Sequence, residues 1–247
     1  IMALMTGGFA TIAGTVFAVY VGFLESAGLK RGGADLICAS VMSAPAAFVF
    51  AKLFLPETEV AETAEGAQVS RERIGTSLLD AIANGVTAGV RLAVNIGAMI
   101  LVFVALIAML NWAVVSVVRH VVPGSTIDFG TLYAYVFWPF AWLMGVRAED
   151  CLEVGRLLGT KTIFNEFLAY KDLGAMVKAG EISTRSAVLS TYALCGFANF
   201  GSIGIQIGGL SALAPERRPD FVRLAFRAMV AGSLACQLTA CIVGVMG

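Results

Sequence analysis

The stretch GFANFGSIGIQIGG, residues 196–209, sits inside an apolar run from 186 to 214 and carries five glycines, an asparagine, a serine and a glutamine. Each glycine weakens a helix by about 1 kcal/mol relative to alanine in water. Residues 7–14, GGFATIAG, resemble it within another apolar run, 1–24, where Thr6, Thr11 and Thr15 accompany Gly7, Gly8 and Gly14. Inside a bilayer, unwound backbone is tolerated only where it faces protein or a water-filled cavity. The two segments therefore predict two helices broken at depth.

Composition supports that setting. The 247-residue chain is 58% hydrophobic and 14% charged, against about a quarter charged in soluble domains, and its mean hydropathy is +0.84. Seventeen basic and seventeen acidic residues cancel, so no overall field favours a nucleic-acid partner. The five cysteines, Cys38, Cys151, Cys195, Cys236 and Cys241, are scattered without a CxxC pair, and read as small buried hydrophobes. The first residues lack the basic region and cleavage site of a signal peptide. They read as the inside of a helix, so the sequence is expected to be a piece of a longer protein.

A span needs about 20 mostly apolar residues. Residues 1–55 provide the first broken helix and a second span, 34–55, that ends at Pro56. Residues 56–73, with Glu57, Glu59, Glu62 and Glu65, form a polar linker. Within 74–118, the stripe Ile74, Leu78, Ile82, Val86 and Val90 marks an amphipathic helix at the interface. It runs into the long apolar span 92–118, and His120, the only histidine, lies at its solvated edge. Residues 127–178 begin with Tyr133, Tyr135, Trp138 and Trp142, an aromatic belt on an interfacial helix interrupted at Pro139. Two helical patterns too short to span follow in 149–178, around Gly159, Lys161, Asn165 and Glu166. That arrangement predicts a re-entrant hairpin with its turn at depth. Residues 183–247 hold the second broken helix, the basic loop PERRPDFVR (215–223) and the last span, and the positive-inside rule places that loop in the cytoplasm. The predicted fold is thus an all-α polytopic membrane protein, with broken transmembrane helices and a re-entrant helical hairpin.

Similar broken helices in two halves point to a transporter site at the midplane. Chance likeness of glycine-rich apolar sequence competes with that reading, and the number of crossings between the two does not settle whether the halves are inverted. Asn199, Ser202 and Gln206 could line a cavity or simply hold helices together. Glu166 favours the cavity, because an acid at membrane depth marks a substrate or ion path unless it is only paired. Lys161 is either its partner or a snorkelling cation. A carboxylate, an amide and a hydroxyl together suit a neutral, polyhydroxylated solute better than a metal or an anion.

NEFLAY (165–170) in a GTKxxxNEF context and STYALCGFANFGSIGIQIGG (190–209) resemble the C-terminal half of the concentrative nucleoside transporters. MTGGFATIAGTV (5–16) and the stretch 80–111 are similar to the same family, so the resemblance covers essentially the whole chain. It implies an inverted-repeat, cation-coupled symporter of the plasma or bacterial inner membrane. Homotrimers are also implied, with scaffold and transport domains that work by alternating access. On that pattern Glu166, Asn199 and Ser202 hold the ribose hydroxyls, Phe197 lines the pocket and Val16 packs against the base. Thr11, where the family often has serine, and Ile12 supply part of a Na+ site, oxygen ligands that suit a hard cation. The span 92–118 belongs to the scaffold. The family's first hairpin, which reads the base, has no counterpart here, so base selectivity and Na+ against H+ coupling are not readable. No cofactor, enzyme activity or nucleic-acid partner is expected, since HExxH, GxSxG and paired buried aspartates are missing. A channel-like or structural membrane subunit is the alternative.

Overall fold

Both glycine-rich segments are interrupted helices in the computed structural model, which describes residues 1–58, 77–121 and 129–246. Helix α1 (Met2–Ala10) stops at Thr11, whose extended backbone (φ −103°, ψ 154°) leads through Ala13 into α2 (Gly14–Ser26). The stop is capped locally: the Thr11 amide and hydroxyl both donate to the Gly7 carbonyl, at 3.1 and 2.9 Å. After α3 (Gly32–Phe54), α4 (Leu78–Val121), α5 (Phe129–Leu143), α6 (Cys151–Ile163) and α7 (Glu166–Ala179), the second interruption separates α8 (Thr184–Leu194) from α9 (Phe200–Leu213). A 3-10 turn, Pro215–Arg217, leads into the closing helix α10 (Arg218–Met246).

The second break is narrower than the glycines suggest. It covers residues 195–199, and only Gly196 of the five glycines lies in it. Gly196 has φ +126°, and a Cβ there would lie 2.7 Å from the Phe9 carbonyl oxygen and 2.8 Å from those of Ala10 and the Cys236 Sγ. The site therefore needs glycine twice over, for its dihedral and for its space. Helix resumes because Asn199 is an N-cap, its Oδ1 accepting from the Ser202 amide at 2.8 Å. The remaining glycines of the stretch are helical. Gln206, on the same helix, donates to the Met5 carbonyl at 3.2 Å and ties α9 to α1 over Gly8.

Helix α4 follows the sequence expectation, and α5 departs from it at Pro139. The amphipathic segment and the apolar span form one unbroken helix, the 44-residue α4, about 66 Å long at 1.5 Å per residue; the linker beyond Thr58 and residues 74–76 lie outside the described residues. The helix expected over 127–145 is not interrupted at Pro139, which lies within α5. Proline removes one helical bond, but α5 is held along its length by α6. A Cβ on Gly155 would strike the Ala134 carbonyl, and one on Gly159 would lie 2.5 Å from the Tyr133 Cβ. Two glycines one turn apart thus allow near-backbone contact, which supports α5 as a continuous helix through its proline.

Helices α6 and α7 form a hairpin through Phe164 and Asn165. With 13 and 14 residues each arm is about 20 Å long, short of the roughly 30 Å hydrocarbon core. Among the described residues, three stretches are long and apolar enough to cross a membrane: Met2–Ser26, which includes the first break, Gly32–Phe54 and Pro215–Met246. No strand occurs among the described residues. The largest buried cluster joins α2, the hairpin and α8 through Tyr20, Leu24, Leu157, Tyr170 and Leu189, and a second joins α1 to α10 through Met5, Phe9 and Leu224.

Replacing Gly196 by alanine is expected to lower stability by about 2 kcal/mol or more, from an unfavourable φ and a Cβ set against two carbonyls. Thermal unfolding in detergent reads this, with alanine at the unencumbered, ordinary-φ position Gly7 as the comparison that should change little.

Candidate functional site

The tip of the α6–α7 hairpin meets the second break. Asn165 is the N-cap of α7, its Oδ1 accepting from the Leu168 amide at 2.9 Å, which makes Glu166 the first helical residue. A carboxylate there is favoured by the exposed amides and dipole of the helix start. Glu166 is 4% exposed. Its Oε2 accepts from Asn199 Nδ2 at 3.1 Å and its Oε1 from the Tyr20 hydroxyl at 2.9 Å. Since Asn199 Oδ1 is already committed to the Ser202 amide, the amide orientation is set and its NH2 must face Glu166. Ser202 enters this network through its backbone, and its hydroxyl has no protein partner among the described residues.

The structure thus brings Glu166, Asn199 and Ser202 together. Phe197 lies in the same break, half-buried, two residues before Asn199. Val16 stands one turn before Tyr20 on α2 and packs on the cluster that contains Tyr20, so the two share a helix face. Thr11 and Ile12 occupy the first break, part-buried. Among the described residues neither makes a hydrogen bond to Glu166; α2 links them to it through Tyr20.

Tyr20 was missed by the sequence reading. It is fully buried, stacks on Tyr170 with ring centroids 4.6 Å apart, and supplies one of the two donors to Glu166. The signal available was a phenol within an otherwise apolar segment, since a buried tyrosine hydroxyl needs a partner. Lys161 departs from one of the alternatives offered for it and meets the other only at a distance, its charge acting on Glu166 without direct contact. It is 1% exposed, so it does not snorkel, and it makes no ion pair within 4 Å among the described residues. Its ammonium donates to the Ala193 carbonyl at 2.9 Å, in the last turn of α8. The neighbouring carbonyls are met in the same way: the Tyr170 hydroxyl donates to Thr191 at 2.7 Å and the Cys236 thiol to Cys195 at 2.5 Å.

The base of the hairpin is fastened to α8. The Ser183 amide and hydroxyl donate to Asp150 Oδ2 at 3.2 and 2.6 Å, and Ser183 also caps α8. Burial alone would raise the Asp150 carboxyl, but hydrogen bonds from Ser183 and Ser186 and the charge of Arg147 hold it below its ordinary value. A depressed carboxylate stabilises the fold above its unfolded-state value, and that contribution is lost as pH falls through the folded one. The thermal midpoint is therefore expected to drop as pH falls below the ordinary aspartate value of 3.8, and Asp150→Asn to lose this part of the pH dependence. A second expectation concerns the site: Tyr20→Phe keeps the aromatic stack but removes a donor to a buried carboxylate, costing about 1.5–3 kcal/mol. A double-mutant cycle with Glu166→Gln checks this, because the two losses should be non-additive.

The family model for the C-terminus of the Na+ dependent nucleoside transporters matches residues 35–244. Solute carrier family 28 member 3 of Mus musculus is 42% identical over 257 residues, which covers 98% of this chain and 36% of that protein. Among solved structures, a CNTnw variant in an intermediate state is 38% identical with a TM-score of 0.82, covering 100% of this chain and 58% of that one. CNTnw in an inward-facing substrate-bound state is similar with a TM-score of 0.77 and 38% identity, over 99% of this chain and 56% of that one. The chain therefore spans between about a third and three fifths of the length of these relatives.

Proposed function

The chain belongs to the Na+ dependent nucleoside transporter family, and from that premise we propose that the intact protein carries nucleosides across the plasma or bacterial inner membrane with Na+, by alternating access. The observation that carries this reading is Glu166, buried where the hairpin tip, α2 and the second break converge. Each carboxylate oxygen accepts one bond from the protein and keeps a further acceptor direction. Two vicinal ribose hydroxyls can use those directions, in bonds strengthened by the full charge of the acceptor. An amide at 166 would offer one accepting oxygen and turn a donor toward the second hydroxyl. The free Ser202 hydroxyl and Asn199 flank that position, while Phe197 and Val16 give it apolar walls.

The first break supplies the ion. Thr11 oxygen and the carbonyls freed around Ile12 form a donor set suited to a hard cation, completed by the part of the protein that precedes these residues in its relatives. Because Tyr20 stands on the helix that starts at this break, an ion that orders residues 11–13 also fixes the Tyr20 hydroxyl on Glu166. Ion and nucleoside then favour the same arrangement, which is the coupling a symporter requires. Residues 1–55, the hairpin and residues 183–247 would move as the transport unit. The long α4, with exposed apolar side chains such as Leu101 and Trp112, would serve as scaffold within a homotrimer.

In the intact protein, Glu166→Gln is expected to reduce uridine uptake driven by a Na+ gradient about 100-fold, the loss of two charge-assisted bonds. Radiolabelled uptake into cells or vesicles measures it, with 2′,3′-dideoxyuridine as a poor substrate for wild type that the substitution should affect little. Unchanged uridine uptake would place the ribose elsewhere, and uridine flux that neither saturates nor needs Na+ would favour a channel.

A further inference from the structure

The two helix breaks are neutralised in different ways. At the first, Thr11 returns its own amide and hydroxyl to Gly7, and among the described residues no amine or guanidinium reaches residues 11–13. At the second, the end of α8 presents a row of freed carbonyls, and Ala193 receives the ammonium of Lys161 from α6. The end of a helix carries partial negative charge that favours a cation. Lys161 is 1% exposed, and among the described residues no carboxylate lies within 4 Å of it; Glu166 feels its charge from farther away and the Cys236 side chain lies beside it, while the Ala193 carbonyl receives its hydrogen bond at 2.9 Å. A charge removed from water without an anion in direct contact needs fixed dipoles to replace its hydration.

We propose that the Lys161 ammonium is the resident cation of the second break, a positive charge tethered among the α8 carbonyls in the position that a free ion would otherwise have to fill. The first break is then left as the one in this part of the fold that exchanges its cation, and the second keeps its charge throughout. The tether also places the charge on the same hairpin as Glu166, so the ammonium and the carboxylate travel together. The inference deepens the transport reading and rests on it for its link to nucleoside affinity, but its core concerns the α8 end alone.

Chemical rescue tests it. In the intact, detergent-solubilised protein, Lys161→Ala is expected to lower the thermal midpoint and weaken uridine binding about tenfold or more. Millimolar methylammonium, a free copy of the lost charge, should restore much of both in this variant and change neither in wild type. Lys161→Gln supplies a neutral donor to the same carbonyl, and it should remain impaired about as strongly. A Lys161→Gln protein with wild-type midpoint and affinity overturns the proposal, because a donor without charge then suffices. So does a Lys161→Ala protein that is unimpaired or indifferent to methylammonium. If Lys161→Ala does not fold, Lys161→Gln decides alone; if neither neutral variant folds while Lys161→Arg does, the requirement for charge stands, and if Lys161→Arg also fails the charge alone does not suffice and the proposal falls. Absence of uridine binding in wild type would defeat the nucleoside reading, whereas the rescue of the thermal midpoint is read without any nucleoside.

Discussion

A helix broken at membrane depth releases carbonyls that lipid cannot satisfy, and the end of α8 is where most of this structure meets that demand. Donors arrive from three other helices: Lys161 on α6, Tyr170 on α7 and Cys236 on α10. Each unsatisfied group would cost several kcal/mol in hydrocarbon, so these helices cannot shift independently of the break they cap. The same contacts bring the hairpin tip to Asn199. The position of the carboxylate site thus follows from the backbone's need for partners before any ligand is considered.

Glu166 inherits its surroundings from that arrangement. Its two donors come from opposite ends of the chain, Tyr20 from the helix after the first break and Asn199 from the start of α9. An ionised carboxylate taken out of water is strongly unfavourable alone, and two hydrogen bonds offset part of that penalty. On the proposed reading, the hydroxyls of a bound solute would offset more of it. Tyr20 also binds the site to the packing around it, because its ring stacks on Tyr170, whose hydroxyl caps α8. The carboxylate, the stack and the broken helix therefore form one connected unit.

Much of this was legible in the sequence, and the limits have physical causes. Glycines in apolar surroundings announced both breaks, and an acid between two short helical patterns announced the hairpin tip. The extent of the second break was overestimated because glycine permits unwinding without requiring it; Asn199 with Ser202 three residues on is also a helix-start pattern, and it restarts the helix before the other glycines are reached. Pro139 was weighed as a breaker by a rule that holds for isolated helices, whereas Gly155 and Gly159 of a neighbour decide the matter here. The partner of Lys161 is a backbone carbonyl, which leaves no trace in side-chain spacing. Tyr20 was hidden by the greasiness of its segment, although a lone phenol there is itself a request for an acceptor. The motifs around Glu166 and Asn199 supplied the nucleoside; composition reached only a polar cavity beside broken helices.

The contrast between the breaks bears on which of them can open. Thr11 satisfies the first break from within its own turn, so its hydroxyl oxygen can turn to an ion without disturbing another helix, and the change is local and reversible at small cost. The α8 end depends on side chains from three helices, and releasing it would strand several buried groups at once. A two-state element needs a part that yields and a part that holds. On the proposed reading the yielding part is the first break, and Tyr20, six residues into the helix α2 that starts at Gly14, is the means by which a change there reaches the carboxylate.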